Sequence, residues 1–513
     1  MTPTTPTRAT TDAPTRVTVA VIGAGFGGLC AAITLLDKRI TDFVVLEREA
    51  DVGGTWLVND YPGAQCDIPA ITYSYSFAPN PNWSRIYPLQ AELQAYLRDC
   101  AERFGVLGHI RFGRTVQQSR WDEHTRHWIL HTDTGTVEAQ FVIAGYGPFS
   151  APSVPDIPGR DTFAGTAFHS AAWNHDHDLT GRRVAVIGTG ASAVQFIPRI
   201  QPQAEKLTVF QRTPIWIAPH PDRPTTAALR ALWRIPGAMR LSRASLGAVF
   251  EALVPSLVKW PATLVALEQT ARRHLRRQVR DPLLRDKLTP TYRFGCKRPT
   301  FSNTYYPALT QPNTTVVTDS IARIVADGIL TTDGVLHHVD TIIYGTGFHV
   351  ARNPFADTVI GTSGRTLTEL WAPTDPQAYL GTAVHGLPNM FLILGPNSAP
   401  YNSTVITIED QVGYIIDTLH TAIEQRIDRI EVRAEVQRDF NTELDHKLAT
   451  SVWATGGCHS YYIGNRGRVI AWWPGFATDY ARRTRHVDLH HYRLGHRRTR
   501  HCPPVTIEQP TTS

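Results

Sequence analysis

The chain has 513 residues, 42% of them hydrophobic and 19% charged. Such a chain buries large cores and suggests about two to four domains; disorder, a collagen-like fold and a small disulfide scaffold are excluded. The formal net charge of +6 comes mostly from Arg spread along the chain. The one dense cluster, Arg482 to Arg500, is interleaved with His, and residues 491–513 read as a solvated basic tail, so no nucleic-acid partner is expected.

Residues 1–15 are rich in Thr and Pro, lack an apolar run, and are expected to form a disordered tail. Val17 to Ile22 then reads as a buried parallel strand. Gly23, Gly25 and Gly28 form GxGxxG, a helix pattern runs from Leu29 to Leu36, and a second apolar strand, Phe43 to Leu46, ends in Glu47. This is the dinucleotide fingerprint in its required context. The glycines let backbone approach a pyrophosphate, the helix N-terminus supplies free N–H groups, and Glu47 can accept hydrogen bonds from a ribose diol. Phe141 to Ile143 is a further strand, followed by Ala144-Gly145-Tyr146-Gly147-Pro148 and a Pro-rich connector, Pro152 to Pro158.

The pattern repeats. Arg183 to Ile187 is a strand, Gly188, Gly190 and Ala193 form GxGxxA, a helix runs to about Ile200, and a strand, Leu207 to Phe210, ends at Gln211-Arg212-Thr213-Pro214. Glu47 lies 24 positions after Gly23 and Arg212 lies 24 positions after Gly188, which sets Arg212 in the place of Glu47. A carboxylate there repels a 2′-phosphate, whereas Arg binds one bidentately. The first unit therefore suits FAD and the second NADPH.

Residues 225–285 read as an Arg-rich helical excursion. Ile342 to Phe348 nearly copies the strand-to-Gly passage at 141–147, as two crossings between domains would. Ile408 to Gln425 is an amphipathic helix. The expected architecture is α/β with two Rossmann-like domains: an FAD domain of residues 16–150 and 345–490, and an NADPH domain of residues 151–344 inserted in it. The apolar stretches Val17 to Leu36 and Val249 to Leu267 are interrupted, the second by Glu251, Pro255, Lys259 and Pro261, so no membrane span is expected. The six cysteines, Cys30, Cys66, Cys100, Cys296, Cys458 and Cys502, show no CxxC and no paired spacing. They read as reduced thiols of a cytoplasmic protein.

Two different dinucleotide sites in one chain point to a flavoprotein that takes hydride from a nicotinamide. Disulfide reductases share this layout but need a redox cysteine pair, which these cysteines do not offer. Further motifs narrow the chemistry. Phe163, Gly165, His169 and Trp173 form FxGxxxHxxxW, followed by Asn174. Gly53-Gly54-Thr55-Trp56 and Tyr61-Pro62-Gly63 precede Asp67. Phe294 to Pro299 contains Lys297 and Arg298, and Gly395 to Ser398 contains Asn397.

In these motifs the chain resembles the flavin-containing (type I) Baeyer–Villiger monooxygenases, within the class B flavoprotein monooxygenases, over nearly all of its length. The family has Pro or Asp where Asn174 stands, usually Arg where Gln65 stands, commonly Gly-Leu-Gly-His where Ala399 to Asn402 stand, and often Trp near Ser460-Tyr461-Tyr462. The resemblance implies that NADPH reduces FAD and that O2 then gives a C4a-peroxyflavin, which attacks a ketone to form an ester or lactone. It implies that Arg298 is the active-site cation, that Asp67 orients it, and that Lys297 holds the 2′-phosphate with Arg212 and Thr213. A fixed cation favours the peroxide anion and stabilises a developing oxyanion. Phe26, Arg48, Gly54, Thr55, Trp56, Tyr73, Val116, Thr189, Ser192, Gln195 and Asn397 are further candidates for cofactor contacts. His169 and Trp173 are read as structural parts of the connector. No metal is expected, and the state is monomer or homodimer. The substrate pocket is expected to draw on the helical excursion, the Tyr401 segment and the Tyr461 region. An N- or S-oxygenating flavin monooxygenase has the same fold, and a redox flavoprotein with NADPH oxidase activity needs the same nucleotide sites; Arg298 and the His169 fingerprint favour ketone chemistry.

Overall fold

The computed structural model of the protein describes residues 14–496. Most of both expected tails, and Cys502, lie outside the described residues. An eight-stranded sheet is built around Thr15–Ile22, which pairs in parallel with Phe43–Leu46 on one side and Gly135–Ala144 on the other. Thr15 belongs to this strand and not to a tail, since it pairs with Val137. The pairing outruns the apolar run because only the last four residues of the strand are buried. Val116–Asp122 and His127–Thr132 extend the sheet in antiparallel fashion, and Met390–Leu392 returns from the far end of the chain to pair with Gly135–Ala144. The helices Phe26–Asp37 and Thr404–Glu424 pack together over this sheet in one apolar core.

A second sheet has five parallel strands in the order Thr314–Val317, Lys206–Phe210, Arg183–Ile187, Thr341–Tyr344, Thr166–His169. The helix Ala191–Ile200 packs its buried face into this sheet's core.

The duplication seen in the motifs is also a duplication of geometry. Gly23 donates its N–H to Leu46 (2.8 Å), and Gly188 donates its own to Phe210 (3.1 Å). Gly23 and Gly188 have φ of +91° and +105°, and a Cβ on them would lie 2.7 Å from the Gly145 oxygen and 2.4 Å from the Gly345 oxygen. Only glycine combines that backbone with that approach.

The sheet register corrects the placing of Arg212. Ile22 pairs with Leu46, so Glu47 is the first residue beyond its strand, while Ile187 pairs with Phe210, so the first residue beyond is Gln211. Arg212 therefore matches Arg48. The connection from the Gly-bearing turn to the next strand is one residue shorter in the second unit, a difference that counting along the chain cannot reveal. Gln211 is buried and donates to the Lys287 carbonyl (2.8 Å), whereas Arg212 is exposed toward the cleft.

The two strand-to-Gly passages run side by side. Ser153 donates to Gly347 (2.8 Å), His349 to Ala151 (2.9 Å), and the Thr346 hydroxyl to the Ser153 carbonyl (2.5 Å). The helical excursion comprises Ala227–Trp233, Ala238–Glu251, Val254–Val258, Val265–Gln278 and Pro282–Lys287. Within it, Ala238–Val258 is long enough and, at a mean hydropathy of 1.3, apolar enough to cross a membrane. The expectation of no span rested on residues 249–267, which share only the stretch's second half, with its Glu251 and Pro255.

Two more expectations are corrected. Cys296 and Cys458 form a disulfide across 162 residues; Cys30, Cys66 and Cys100 are free and buried. Linear spacing carries no trace of the pair because it is tertiary folding that brings the two segments together. The basic tail begins later than residue 491, since Tyr492–His496 pairs with Ile427–Val432 and the buried Tyr492 hydroxyl lies 2.6 Å from that of Tyr414.

Candidate active site

The carboxyl ends of the parallel strands in both sheets open onto one cleft of about 2060 Å³. That exceeds the few hundred to about 1,000 Å³ of a single small-ligand pocket, and it matches the need to hold two dinucleotides. Open α/β sheets bind ligands at this end of their strands, where helix N-termini and free backbone donors converge.

On the first sheet's side the lining includes Gly23, Gly25, Phe26, Glu47, Arg48, Gly54, Thr55, Trp56, Asp67, Tyr73 and Val116. Glu47 is buried, and its carboxylate accepts from the Ala24 N–H (2.5 Å) and the Glu49 N–H (2.9 Å). Burial pushes its carboxyl up, and those two backbone donors work against the rise. Each oxygen still has a lone pair for a ribose hydroxyl. Gly25 and Gly54 face each other, with a Cβ on Gly25 lying 3.4 Å from the Gly54 Cα. This bare backbone cradle fits the pyrophosphate of FAD. Trp56 donates to the Tyr73 hydroxyl (3.2 Å), and Phe26 packs edge-on against Tyr73, so these rings form one apolar wall. Gly28 does not line the cleft: a Cβ there would lie 1.7 Å from the Gly23 oxygen, so it serves the packing of helix on strand.

On the second side Gly188, Thr189, Gly190, Ser192, Gln195, Arg212, Thr213 and Lys297 line the cleft. Ala193 does not; it is fully buried against the backbone of Gly345. Burial lowers the Lys297 ammonium, and the charge of Arg212 lowers it further. Among the described residues neither cation has a carboxylate partner within salt-bridge distance. Two adjacent unpaired cations beyond a GxGxxA turn fit the 2′-phosphate of NADPH. Gln195 is engaged elsewhere. It accepts from the Tyr61 hydroxyl (3.0 Å) and donates to the Gln65 carbonyl (2.8 Å), which ties the helix Ala191–Ile200 to the Gly53–Asp67 segment.

Arg298 and Asp67 meet in the cleft from positions 231 residues apart, Nε donating to one carboxylate oxygen at 2.6 Å and Nη2 to the other at 2.9 Å. Burial alone would lower the guanidinium; the charge and hydrogen bonds of Asp67 overcome this and hold it above its ordinary value. Nη1 donates to no protein group among the described residues. Tyr401, Tyr461 and Tyr462 lie close enough to sense the Arg298 charge, and burial raises all three phenols. Tyr461 and Tyr462 line the cleft, as do Pro400 and Asn402 beside Tyr401, but the expected contribution of the excursion is corrected: none of residues 225–285 lines it. That segment packs against the outside of both halves.

The comparisons with known proteins agree with this geometry. The family model described as pyridine nucleotide-disulphide oxidoreductase matches residues 20–234. A Baeyer–Villiger monooxygenase of Streptomyces coelicolor is 45% identical, with 93% of this chain and 92% of that one covered. One from Pseudomonas aeruginosa is 41% identical, covering 95% and 93%. The chain belongs to the Baeyer–Villiger monooxygenases. Among solved structures, closed cyclohexanone monooxygenase superposes with a TM-score of 0.84 at 28% identity, covering 94% of this chain and 100% of that one. Steroid monooxygenase bound to NADP superposes with 0.82 at 32% identity, covering 92% and 97%. This enzyme is an FAD- and NADPH-dependent monooxygenase.

Within this Baeyer–Villiger monooxygenase the motif residues and the departures acquire places. A Cβ on Gly165 would lie 2.4 Å from the Asp340 oxygen, so FxGxxxHxxxW requires glycine for close packing. His169 is buried outside the cleft lining, its Nδ1 accepting from the Ala171 N–H (3.0 Å) and its ring facing Phe348 in the second connector (5.7 Å). Burial lowers its imidazole. Trp173 packs on Phe168 and Phe196, and Phe163 against the neighbouring core. Asn174 accepts from the Asp176 N–H (3.2 Å), a turn that Asp could also make. Asn397 lies outside the lining too, donating to the Val469 (2.8 Å) and Trp472 (3.1 Å) carbonyls; it braces the segment behind the cleft. Gln65 donates to Asp222 (2.9 Å), which also binds Arg85 (2.6 Å). Sequence reasoning missed this Gln65–Asp222–Arg85 group, because nothing along the chain relates residues 65, 85 and 222.

Proposed function

We propose that Arg298, held in a bidentate pair by Asp67, is the catalytic cation of this enzyme, and that its substrate is a ketone oxygenated by O2 to an ester or lactone. The observation that carries this reading is the Arg298 fork. Asp67 occupies Nε and Nη2, which leaves the Nη1 hydrogens for negative charge that develops on the carbonyl oxygen. Bound FAD, reduced by NADPH, supplies the activation of O2. Arg298 stays charged at any working pH, and a cation already fixed in place by Asp67 costs little reorganisation as charge develops. Asp67 is the positioning residue that fixes the guanidinium plane. Glu47 and the Gly23–Gly25–Gly54 cradle hold FAD, and Arg212 with Lys297 holds the 2′-phosphate of NADPH. The corresponding domains are an FAD domain of residues 16–150 and 345–496 and an inserted NADPH domain of residues 151–344.

The test is incubation of the purified flavoprotein with NADPH, O2 and a panel of cyclic, aryl and long-chain ketones, alongside amine and sulfide probes. Esters or lactones heavier than the ketone by one oxygen atom are expected. Sulfoxides or N-oxides with no ester from any ketone would overturn the substrate class. Arg298→Ala is expected to retain FAD and lose ester formation; unchanged turnover would refute its role.

A further inference from the structure

A helix on a globular surface turns its apolar stripe to the core and its charges to water. The helix Ala238–Glu251 packs Met239 and Leu246 on the core but leaves a second apolar stripe facing outward, and it turns Arg243 and Glu251 inward. Arg243 points inward and donates to the Ile71 carbonyl (3.1 Å), the Ser74 carbonyl (2.5 Å) and the Glu409 carboxylate (3.3 Å). Glu251, at the other end, accepts from the Ala477 N–H (2.8 Å). The outward positions Leu241, Ala244, Ser245, Ala248, Val249 and Ala252 are uncharged, and exposed Arg240 flanks them at the start of the helix. They follow helical spacing along one stripe. Leu241 is 69% exposed and Val249 63%, and Trp260, just beyond the end of the helical stretch, is 61% exposed. Exposed apolar side chains grouped along one face make this stripe a candidate interaction site.

The surrounding charge selects the occupant. Between Asp222 and Glu268 the only acidic residue is Glu251, and it is turned inward, whereas the same segment carries Arg223, Arg230, Arg234, Arg240, Arg243 and Lys259. Arg234, Arg240 and Lys259 are exposed and, among the described residues, in no ion pair. Two copies set face to face on this stripe would oppose one basic rim to another. An anionic lipid surface satisfies both features, acyl chains taking the apolar stripe and headgroup phosphates the basic rim.

We propose that the Ala238–Val258 stretch docks the enzyme on an anionic lipid surface, lying in the plane of the interface with Leu241, Val249 and Trp260 inserted and Arg234, Arg240 and Lys259 at the phosphates. The stretch is 21 residues long and is broken into the helices Ala238–Glu251 and Val254–Val258. The inward bonds of Arg243 and Glu251 hold the first of them flat against the body of the protein. This docking is independent of the roles given to the cleft residues.

Co-sedimentation of the full-length, FAD-loaded enzyme with vesicles tests it. Vesicles of phosphatidylcholine mixed with phosphatidylglycerol are expected to carry the protein down, and pure phosphatidylcholine vesicles or high salt to do so much less. The variant L241S/V249S leaves the charge unaltered and changes only exposed side chains; its fold is checked by circular dichroism and bound flavin. It is expected to lose vesicle affinity by about tenfold or more, as removal of two inserted aliphatic side chains requires. The proposal is overturned if the wild type stays in the supernatant with the anionic vesicles, or if L241S/V249S sediments as well as the wild type. It is equally overturned if sedimentation velocity shows a wild-type dimer that the variant converts to monomer while neither binds vesicles, since the stripe would then be an interface between copies.

Discussion

At the scale of single residues, the cleft is organised by paired and unpaired charge. Arg298 is paired, and its value lies in the geometry of the fork. Lys at this position would keep the charge but lose the bidentate plane, so Arg298→Lys is expected to retain FAD and NADPH binding while ester formation falls far below wild type. Product analysis together with flavin absorbance separates the two effects. Arg212 and Lys297 have no carboxylate partner among the described residues, and in the proposed role a bound phosphate would relieve their mutual repulsion. Arg212→Ala is expected to raise KM for NADPH by about 10- to 100-fold, the worth of one or two charge-assisted hydrogen bonds, and to leave KM for NADH nearly unchanged. Steady-state kinetics with both cofactors provides the check; equal effects would sink the phosphate role. Glu47, Asp67 and Arg298 were legible in the sequence because each belongs to a local motif. Gln211 was not, because its register depends on a connection one residue shorter than its counterpart.

At the scale of elements, the two strand–turn–helix units share one steric requirement. A methyl group on Gly23 or Gly188 would meet a carbonyl oxygen at 2.7 Å or 2.4 Å, in a backbone conformation that L side chains avoid. Gly23→Ala is expected to lower FAD retention, and Gly188→Ala to spare FAD but weaken NADPH, which flavin content and NADPH titration would read separately. The long helix Thr404–Glu424 carries a second titratable feature. Burial, then neighbouring Glu409, push the Asp410 carboxyl up to about 7 against the smaller opposing pull of Arg243. A carboxyl raised on folding favours the folded state when protonated, so its contribution is complete below about pH 4 and is lost as pH rises toward 7. Asp410→Asn is therefore expected to flatten the fall in melting temperature between those values, and an unaltered profile would contradict the assignment. The positions of the helices and strands at the nucleotide turns were legible from periodicity. The antiparallel strands and Met390–Leu392 were not, since their pairing joins distant segments.

At the scale of the whole molecule, three long-range ties assemble the cleft. The two connectors hydrogen-bond side by side, Gln195 ties the helix Ala191–Ile200 to Tyr61 and Gln65, and the Cys296–Cys458 disulfide joins the Arg298 segment to the Tyr461–Tyr462 segment. Cys296 is two residues before Arg298, and Cys458 three before Tyr461, so the bond ties two cleft-lining segments together. Thiol titration of the denatured protein is expected to show two more thiols after reduction than before; an equal count would exclude the bond. A covalent tie between loops limits the conformations of the chain, and the stabilisation is greater for longer closed loops.

The sequence by itself determined that this chain carries two dinucleotide-binding turns, that their acidic and basic partners suit FAD and NADPH, and that its motifs belong with ketone-oxygenating flavoproteins. Those features rest on local chemistry: glycines at turns, hydrophobic period and short motifs. The tertiary structure decided the rest. It set Arg298 on Asp67, placed Gln211 and not Arg212 beside the second strand, kept the helical excursion out of the cleft and left its apolar stripe facing outward. It also paired two cysteines 162 residues apart. The physical reason is common to all of these: each depends on the approach of segments far apart in the chain, and pairing energies between such segments leave no pattern in either segment alone.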